Sequence, residues 1–148
     1  MVAFIYKGTK DLPTYRSERV STQDIPEVTA FVEAELEKMD CPMKTQMQID
    51  IAIDELYCNI TSYAYEGREP GPAEVMVGVP EGENGVEITF IDEGRPYNPL
   101  MREDPDVTLS VEERGIGGLG IYMVKKSMDD MVYEYRNDKN ILRIKKLF

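Results

Sequence analysis

The chain has no histidine and no tryptophan, and only two cysteines among its 148 residues. Without histidine, a Ser-His-Asp triad, an imidazole ligand for zinc and a phosphohistidine are all excluded. The cysteines, Cys41 and Cys58, form no CxxC pair and are too few for a disulfide framework. These absences remove several large enzyme classes before any motif is considered.

Basic residues and long apolar runs are also scarce. The chain has 17 Lys and Arg against 28 Asp and Glu, a formal net charge of −11, and such a surface does not favour the phosphates of nucleic acids. No apolar run approaches the roughly 18 residues of a membrane span, and the first ten residues lack the apolar core of a signal peptide. We therefore expect a cytoplasmic protein without direct nucleic-acid or membrane contact, whose partners are proteins or a ligand carried with a metal ion.

The overall composition, 42% hydrophobic and 30% charged residues, is typical of one packed domain. The predicted helices cover about 25–39, 42–65 and 121–130, and the predicted strands cover 3–8, 15–21, 73–79, 86–92, 131–136 and 141–148, with the last turn at NDKN (137–140). This order indicates an α+β fold, a two-layer sandwich with helices packed on one face of a mainly antiparallel sheet. We assign 1–20 as an N-terminal extension with one short strand and 21–148 as the domain.

The first motif, DELYCNITSYAY (54–65), lies on the second predicted helix. Glu55 and Asn59 are four residues apart, so they lie on one side of the helix, at the border of its apolar stripe. An amide oxygen suits Mg²⁺, and a nearby carboxylate can accept a proton from an attacking hydroxyl. The alternative is an ordinary solvated polar edge, because this spacing is common in helices.

The second motif, FIDEGRPYNP (90–99), begins where a predicted strand ends at Asp92. A carboxylate at a strand end can accept a hydrogen bond from an amino group such as the exocyclic amine of adenine. Gly94 would let the backbone approach a flat ring. The alternative is a simple strand-terminating Asp-x-Gly turn.

The third motif, RGIGGLGIYMVKK (114–126), places glycines directly before an apolar helix. Glycines remove the Cβ atoms that would block phosphate oxygens, and a helix N-terminus presents free N–H groups with a partial positive charge. The spacing is that of neither a P-loop nor a Rossmann turn. The alternative is a flexible loop that leads into a helix. The glycines are Gly115, Gly117, Gly118 and Gly120.

In this order the three motifs together resemble the Bergerat-type (GHKL) ATP-binding fold of histidine kinases, gyrase-like and Hsp90-like ATPases, and anti-sigma-factor kinases. The first motif is similar to the N-box of that superfamily, IDEGRPYNP to its G1 box, and GIGGLGIYMVKKSMDDM to its G2 box. The amino-acid sequences of these motifs most resemble those of anti-sigma-factor serine kinases of the RsbW and SpoIIAB type. The resemblance covers about 21–148.

The resemblance implies ATP and Mg²⁺ as cofactors and a role for each matching residue. Glu55 would be the general base that activates a substrate serine, Asn59 would be the magnesium ligand, and Asp92 would contact adenine. Gly94 would shape the adenine pocket, and the four glycines of the third motif would admit the phosphates.

The same resemblance implies an ATP lid over about 95–114, which the sequence shows as a long irregular loop. The lid contains three cations that could offset phosphate charge, Arg95, Arg102 and Arg114. We favour Arg114 because it adjoins the glycines.

Two positions depart from the family pattern. Tyr63 stands where family members often have histidine, so any polar role of that imidazole is lost or altered. A threonine that is common in the last strand is replaced by Asn140 or Ile141, which bears on adenine affinity.

The resemblance implies a protein-serine kinase that acts as an anti-sigma factor. Such a protein would be a homodimer that sequesters a sigma factor in one nucleotide state and phosphorylates a STAS-domain antagonist protein in another. The alternative is a nucleotide-gated protein-binding module without kinase activity. The intact Glu55 favours the kinase.

Overall fold

The structure is a computed structural model that describes residues 12–101, 103–104 and 119–148. Within these ranges the chain forms three α-helices and five β-strands. The helices are α1 (Ile25–Lys38), α2 (Met43–Asn59) and α3 (Leu119–Ser127), and the strands are β1 (Thr14–Ser17), β2 (Ala73–Gly78), β3 (Gly85–Asp92), β4 (Asp130–Arg136) and β5 (Lys139–Leu147). The strand predicted over 3–8 lies outside the described residues.

The five strands form one antiparallel sheet in the order β1-β2-β3-β5-β4. Buried side chains of the helices and alternate residues of the strands form one apolar core on the face that the helices cover. A smaller cluster of Met76, Ile91 and Ile141 lies on the other face. The predicted α+β two-layer sandwich is confirmed, and the sheet is antiparallel throughout.

Helix α1 begins at the predicted position. Ser21 and Asp24 cap the 3₁₀ turn that leads into the helix, and Pro26 lies in the first helical turn, where no backbone N–H is needed. The buried residues of the helix are Val28, Val32 and Leu36, each one turn from the next. The helical spacing in the sequence therefore identified the face that packs on the core.

Helix α2 ends differently from the prediction. Its buried residues are Thr45, Ile49, Ala52, Ile53, Leu56 and Tyr57. The sequence predicted one continuous helix to about residue 65, whereas the chain from Ile60 to Ala64 forms a π-helical turn. Such turns are rare in helices, and those that occur are frequently found at functional sites.

The turn between β4 and β5 is shorter than predicted. Asn137 and Asp138 both have positive φ, 53° and 62°, which is the backbone of a two-residue type I′ hairpin turn. The prediction of a four-residue turn at NDKN is therefore wrong at its second half, because Lys139 already begins β5. This boundary puts Asn140 into the strand, directly opposite Asp92 of β3.

Helix α3 is displaced by two to three residues from its predicted range. It starts at Leu119 rather than 121, and it ends at Ser127 because Asp129 already donates its N–H to the carbonyl of Lys145 in the sheet. In the described ranges, the helices are too short or too polar to traverse a lipid bilayer.

Candidate active site

A cavity lies between α2 and the sheet and encloses about 420 Å³, part of it open to solvent. Its lining residues are Leu56, Asn59, Ile60, Ala64, Phe90, Asp92, Arg95, Tyr97, Pro99, Tyr133, Asn140 and Leu142. A mainly apolar lining with a few polar groups is typical of small-ligand pockets. The structure thus brings Asn59 and Asp92, predicted from separate motifs, onto one cavity.

Asp92 ends β3 on the cavity wall, with only 7% of its surface exposed. Its Oδ1 accepts hydrogen bonds from the backbone N–H of Gly94 (2.9 Å) and from the side-chain amide of Asn140 (2.8 Å). Within the described residues no group donates to Oδ2. Burial raises the pKa of Asp92, and the bonds from Asn140 and Gly94 oppose that rise. The cavity therefore offers a ligand donor one oxygen of a buried carboxyl group.

Gly94 permits the loop after β3 to pack on the end of the second helix. A Cβ at this position would lie 2.2 Å from the carbonyl oxygen of Ala64, and the N–H of Arg95 donates to the same oxygen at 3.0 Å. The sequence predicted that this glycine lets the backbone approach a flat ring and shapes the adenine pocket, and that role stays a prediction. The structure adds a packing reason for glycine here, because a Cβ would collide with the backbone of Ala64.

Asn59 lies on the cavity wall, one helical turn after Glu55. Its Nδ2 is buried and has no hydrogen-bond partner among the residues that the structure describes. An unpartnered buried amide N–H costs about 1–3 kcal/mol, so the site favours a bound group that supplies an acceptor, such as a water or a phosphate oxygen. Among the described residues, no three Asp, Glu or Cys side chains lie close enough together to hold a metal ion. The oxygen of the same amide suits Mg²⁺, so the residues fit an ion held by that oxygen together with phosphate oxygens and water, rather than by an all-protein cage.

Glu55 packs against the first turn of α3. A Cβ at Gly120 would lie 1.5 Å from Glu55 Oε1, so the carboxylate fits there because this residue is glycine. No hydrogen bond or ion pair joins Glu55 to any described residue. Free N–H groups in the first turn of a helix favour a nearby anion. The sequence predicted a phosphate contact for Gly120, and the structure places it beside the candidate base.

Two side chains of the second motif already have partners at the cavity mouth. Arg95 pairs with Glu66 at 2.5 Å, and both side chains are exposed. Tyr97 contacts the ring of Tyr63 with centroids 5.4 Å apart, so the tyrosine that replaces the family histidine packs on the second motif. An exposed ion pair contributes about 0–1 kcal/mol, so a phosphate could compete for Arg95.

Several predicted site residues lie outside the described residues. They are Arg102, Arg114, Gly115, Gly117 and Gly118. Their roles stay predictions, as does the lid over 95–114, of which only the first part is described.

The structure adds Asn140 to the site. Its strand register sets it opposite Asp92, while Ile141 belongs to the cluster on the other face of the sheet. The sequence left the choice between these two residues open. One signal could have decided it: Asn137–Asp138 suits a two-residue hairpin turn, which would have put Asn140 in the strand.

Known proteins match most of this chain. Residues 19–146 match the family described as "Histidine kinase-like ATPase domain". The serine-protein kinase RsbW of Listeria monocytogenes is 28% identical over 101 residues, which are 66% of this chain and 63% of that kinase. An anti-sigma F factor of Clostridium botulinum is 26% identical over 123 residues, 79% of this chain and 81% of that protein.

Two further kinases are similar to the chain. The serine/threonine-protein kinase BtrW of Bordetella bronchiseptica is 24% identical over 102 residues, 68% of this chain and 70% of that kinase. RsbW of Bacillus pumilus is 29% identical over 87 residues, 56% of this chain and 54% of that kinase. The chain thus spans less than two thirds of the length of either RsbW. With the family match covering residues 19–146, the chain belongs to the histidine kinase-like ATPase domain family.

Proposed function

We propose that the protein binds ATP with Mg²⁺ and transfers the γ-phosphoryl group to a serine of a partner protein. The observation that carries the proposal is one cavity that holds both Asp92 and Asn59, with the carboxylate of Glu55 one helical turn away. Membership of an ATPase family and similarity to proteins named serine-protein kinases support it.

Asp92 would select the base. Its Oδ2 accepts a hydrogen bond from the amino group of adenine, while apolar side chains such as Phe90 and Leu142 cover the ring. Guanine presents a carbonyl oxygen at the same place, and two acceptors facing each other in a buried site repel. The cavity therefore favours ATP over GTP.

The phosphates would extend from the base toward Asn59 and the first turn of α3. Mg²⁺, when bound, neutralises charge on the phosphate oxygens, and Asn59 is the residue that would hold it. Glu55 takes the proton of the serine hydroxyl. The serine oxygen forms a bond to the γ-phosphorus, the bond from that phosphorus to the β–γ bridging oxygen breaks, and ADP leaves.

Similarity to a protein named anti-sigma F factor supports a sigma factor as one partner. In this proposal the protein is a cytoplasmic homodimer that sequesters a sigma factor. Phosphorylation of a STAS-domain antagonist would decide which of the two partners is bound.

Nucleotide binding and transfer can be tested separately on the full chain. Because a ligand that binds only the native state raises its stability, ATP should raise the Tm more than GTP does. Labelled γ-phosphate should then appear on a serine of a purified STAS-domain protein from the same genome. An unchanged Tm with ATP contradicts the proposal, and binding without transfer contradicts its catalytic part.

The variant Asn59→Ala tests the magnesium ligand. We expect it to lose most of the gain in ATP affinity that Mg²⁺ gives the wild type, about tenfold or 1.4 kcal/mol. Affinity measured in EDTA should stay the same. Equal losses with and without Mg²⁺ would contradict a role at the metal.

A second candidate function is a nucleotide-gated binding module without transfer. The loop after β3 is tied to the base site by Asn140 and to α3 by the ion pair of Lys125 with Asp104 (2.9 Å). Base occupancy could therefore change the loop without any chemistry. Binding of the partner that depends on nucleotide but is the same in Glu55→Gln would favour this candidate.

A further inference from the structure

We infer that Asn140 is a positioning residue that joins the base-reading carboxylate of Asp92 to the start of the following loop, so that base selection and loop placement depend on one side chain. The inference rests on the proposed adenine site and goes beyond it. It assigns a role to a residue that does not itself touch the nucleotide.

Asn140 is buried, with 6% of its surface exposed, and both the nitrogen and the oxygen of its side-chain amide form hydrogen bonds. Its Nδ2 donates to Asp92 Oδ1 (2.8 Å) and to the carbonyl of Arg95 (2.8 Å). Its Oδ1 accepts from the backbone N–H of Tyr97 (3.0 Å) and from the hydroxyl of Tyr133. One side chain thus bonds the end of β3, two positions of the loop and strand β4.

These partners fix the orientation of the amide. A carboxylate and a carbonyl can only accept, and the N–H of Tyr97 can only donate, so the nitrogen must face Asp92 and the oxygen must face Tyr97. Both donors and both acceptor positions of Asn140 are then used. No group remains to bind a ligand, so any effect of Asn140 on the nucleotide acts through its partners.

The bond from Asn140 holds Asp92 in the rotamer that directs Oδ2 to the ligand. The bonds to Arg95 and Tyr97 fix the position of the loop relative to Asp92, and the ring of Tyr97 also contacts the ring of Tyr63. Other residue types at position 140 could not make the same bonds. Aspartate has the same shape as asparagine but has no N–H to donate to Asp92. Threonine has a single donor, so it cannot replace both hydrogen bonds of Nδ2.

Asn140→Asp tests the link through pH. Two carboxylates about 3 Å apart repel each other, which raises one pKa of the pair, so the pair shares a proton at low pH and carries two repelling charges once that proton is lost at high pH. We expect the ratio of variant to wild-type Kd for ADP to be at least tenfold at pH 8 and to fall below threefold at pH 5.5. Using the ratio cancels the titration of ADP itself.

The matched control is Asn98→Asp, which adds the same charge in the same loop. The Oδ1 of Asn98 accepts from the N–H of Leu100 at 2.9 Å, and aspartate keeps that acceptor. We expect a Kd ratio near one at both pH values. A ratio near one for Asn140→Asp at pH 8, or a loss that does not shrink at pH 5.5, would overturn the inference.

Hydrogen exchange of the nucleotide-free protein tests the loop half independently. In Asn140→Ala the N–H of Tyr97 loses its side-chain acceptor, so we expect its exchange to accelerate at least tenfold, with the N–H of Leu100 unchanged. An unchanged Tyr97 rate would overturn the inference. If wild type binds no adenine nucleotide, the proposed function fails, whereas the exchange rates still decide the role of Asn140.

Discussion

The two ends of the cavity differ in how completely the protein satisfies its own polar groups. At the base end, Asp92 and Asn140 are joined to each other and to the loop by hydrogen bonds of 2.8–3.0 Å. At the other end, called the reacting end because the proposal places the phosphates there, the buried amide nitrogen of Asn59 has no partner and Glu55 makes no hydrogen bond among the described residues.

This difference assigns different roles to the two ends. A satisfied network in a buried site is rigid, so the base end is organised before the ligand arrives. An unpartnered buried polar group has a free-energy cost that a bound ligand can remove. In the proposed function, structure that is already in place would therefore recognise the base, and the metal, the phosphates and the acceptor serine would complete the reacting end.

The largest expected effect is at the reacting end. Glu55→Gln keeps the shape of the side chain but cannot take a proton, so we expect phosphoryl transfer to a partner serine to fall by about 10²–10⁴. The Kd for ATP should change less than about twofold. The exposed neighbour Asp54, changed to Asn, is the matched control and should transfer at the wild-type rate. An unchanged rate in Glu55→Gln would remove Glu55 from the base role.

At the base end, Asp92→Asn should weaken recognition of adenine without acting directly on the phosphoryl-transfer step. Asparagine can turn its amide nitrogen toward the adenine amine, so ATP affinity should fall by about tenfold to a hundredfold, the cost of one unmade buried hydrogen bond. GTP affinity should change much less. Glu93→Gln, at the exposed next position, controls for the lost charge. Equal losses for ATP and GTP would contradict the adenine assignment.

Gly120→Ala should affect the reacting end alone. The added methyl group occupies the place of the Glu55 carboxylate, so we expect a transfer rate about 10- to 100-fold lower, since small displacements of a reacting group have effects of this size. In a Glu55→Gln background the same change should cost nothing more, because both substitutions act on one group. Additive losses would show that Gly120 acts elsewhere.

The smallest effect concerns a carboxyl pair away from both ends, Glu33 on α1 and Asp50 on α2. Burial, with a hydrogen bond and charge repulsion from Glu33, raises the pKa of Asp50 to about 7. Between the unfolded pKa near 3.9 and about 7 the folded state binds a proton that the unfolded state lacks. The pair therefore makes the free energy of unfolding fall as pH rises through that range.

Asp50→Asn should remove this dependence and raise the Tm at pH 8 by a few degrees, as expected for about 1 kcal/mol in a chain of this size. Urea unfolding at pH 5–8 measures it. Nucleotide affinity should not change, because this carboxyl pair lies away from both ends of the cavity. A wild-type free energy that is flat across this range would contradict the raised pKa.

The secondary-structure elements and three of the candidate site residues could be predicted from the sequence because their signals are local. Helical spacing gave α1 and α2, and Glu55 and Asn59 share a side of α2 because they are one turn apart. Asp92 was recognisable from a strand that stops at an Asp-x-Gly turn.

The remaining contacts depend on strand register and packing, which local patterns do not encode. Asn140 meets Asp92 across 48 residues of sequence, and a register one residue different would put its side chain on the other face of the sheet. The same holds for Gly120, whose neighbour Glu55 lies on another helix. The π-helical turn after Asn59 likewise leaves the helical pattern of the sequence unchanged.

A crystal structure of the full chain with Mg²⁺ and a non-hydrolysable ATP analogue would test the proposed ATP site most directly. We expect the adenine amino nitrogen about 3 Å from Asp92 Oδ2, Asn140 still bonded to Oδ1, and the metal on the amide oxygen of Asn59. A nucleotide bound outside this cavity, or a purine whose amino group faces away from Asp92, would contradict it.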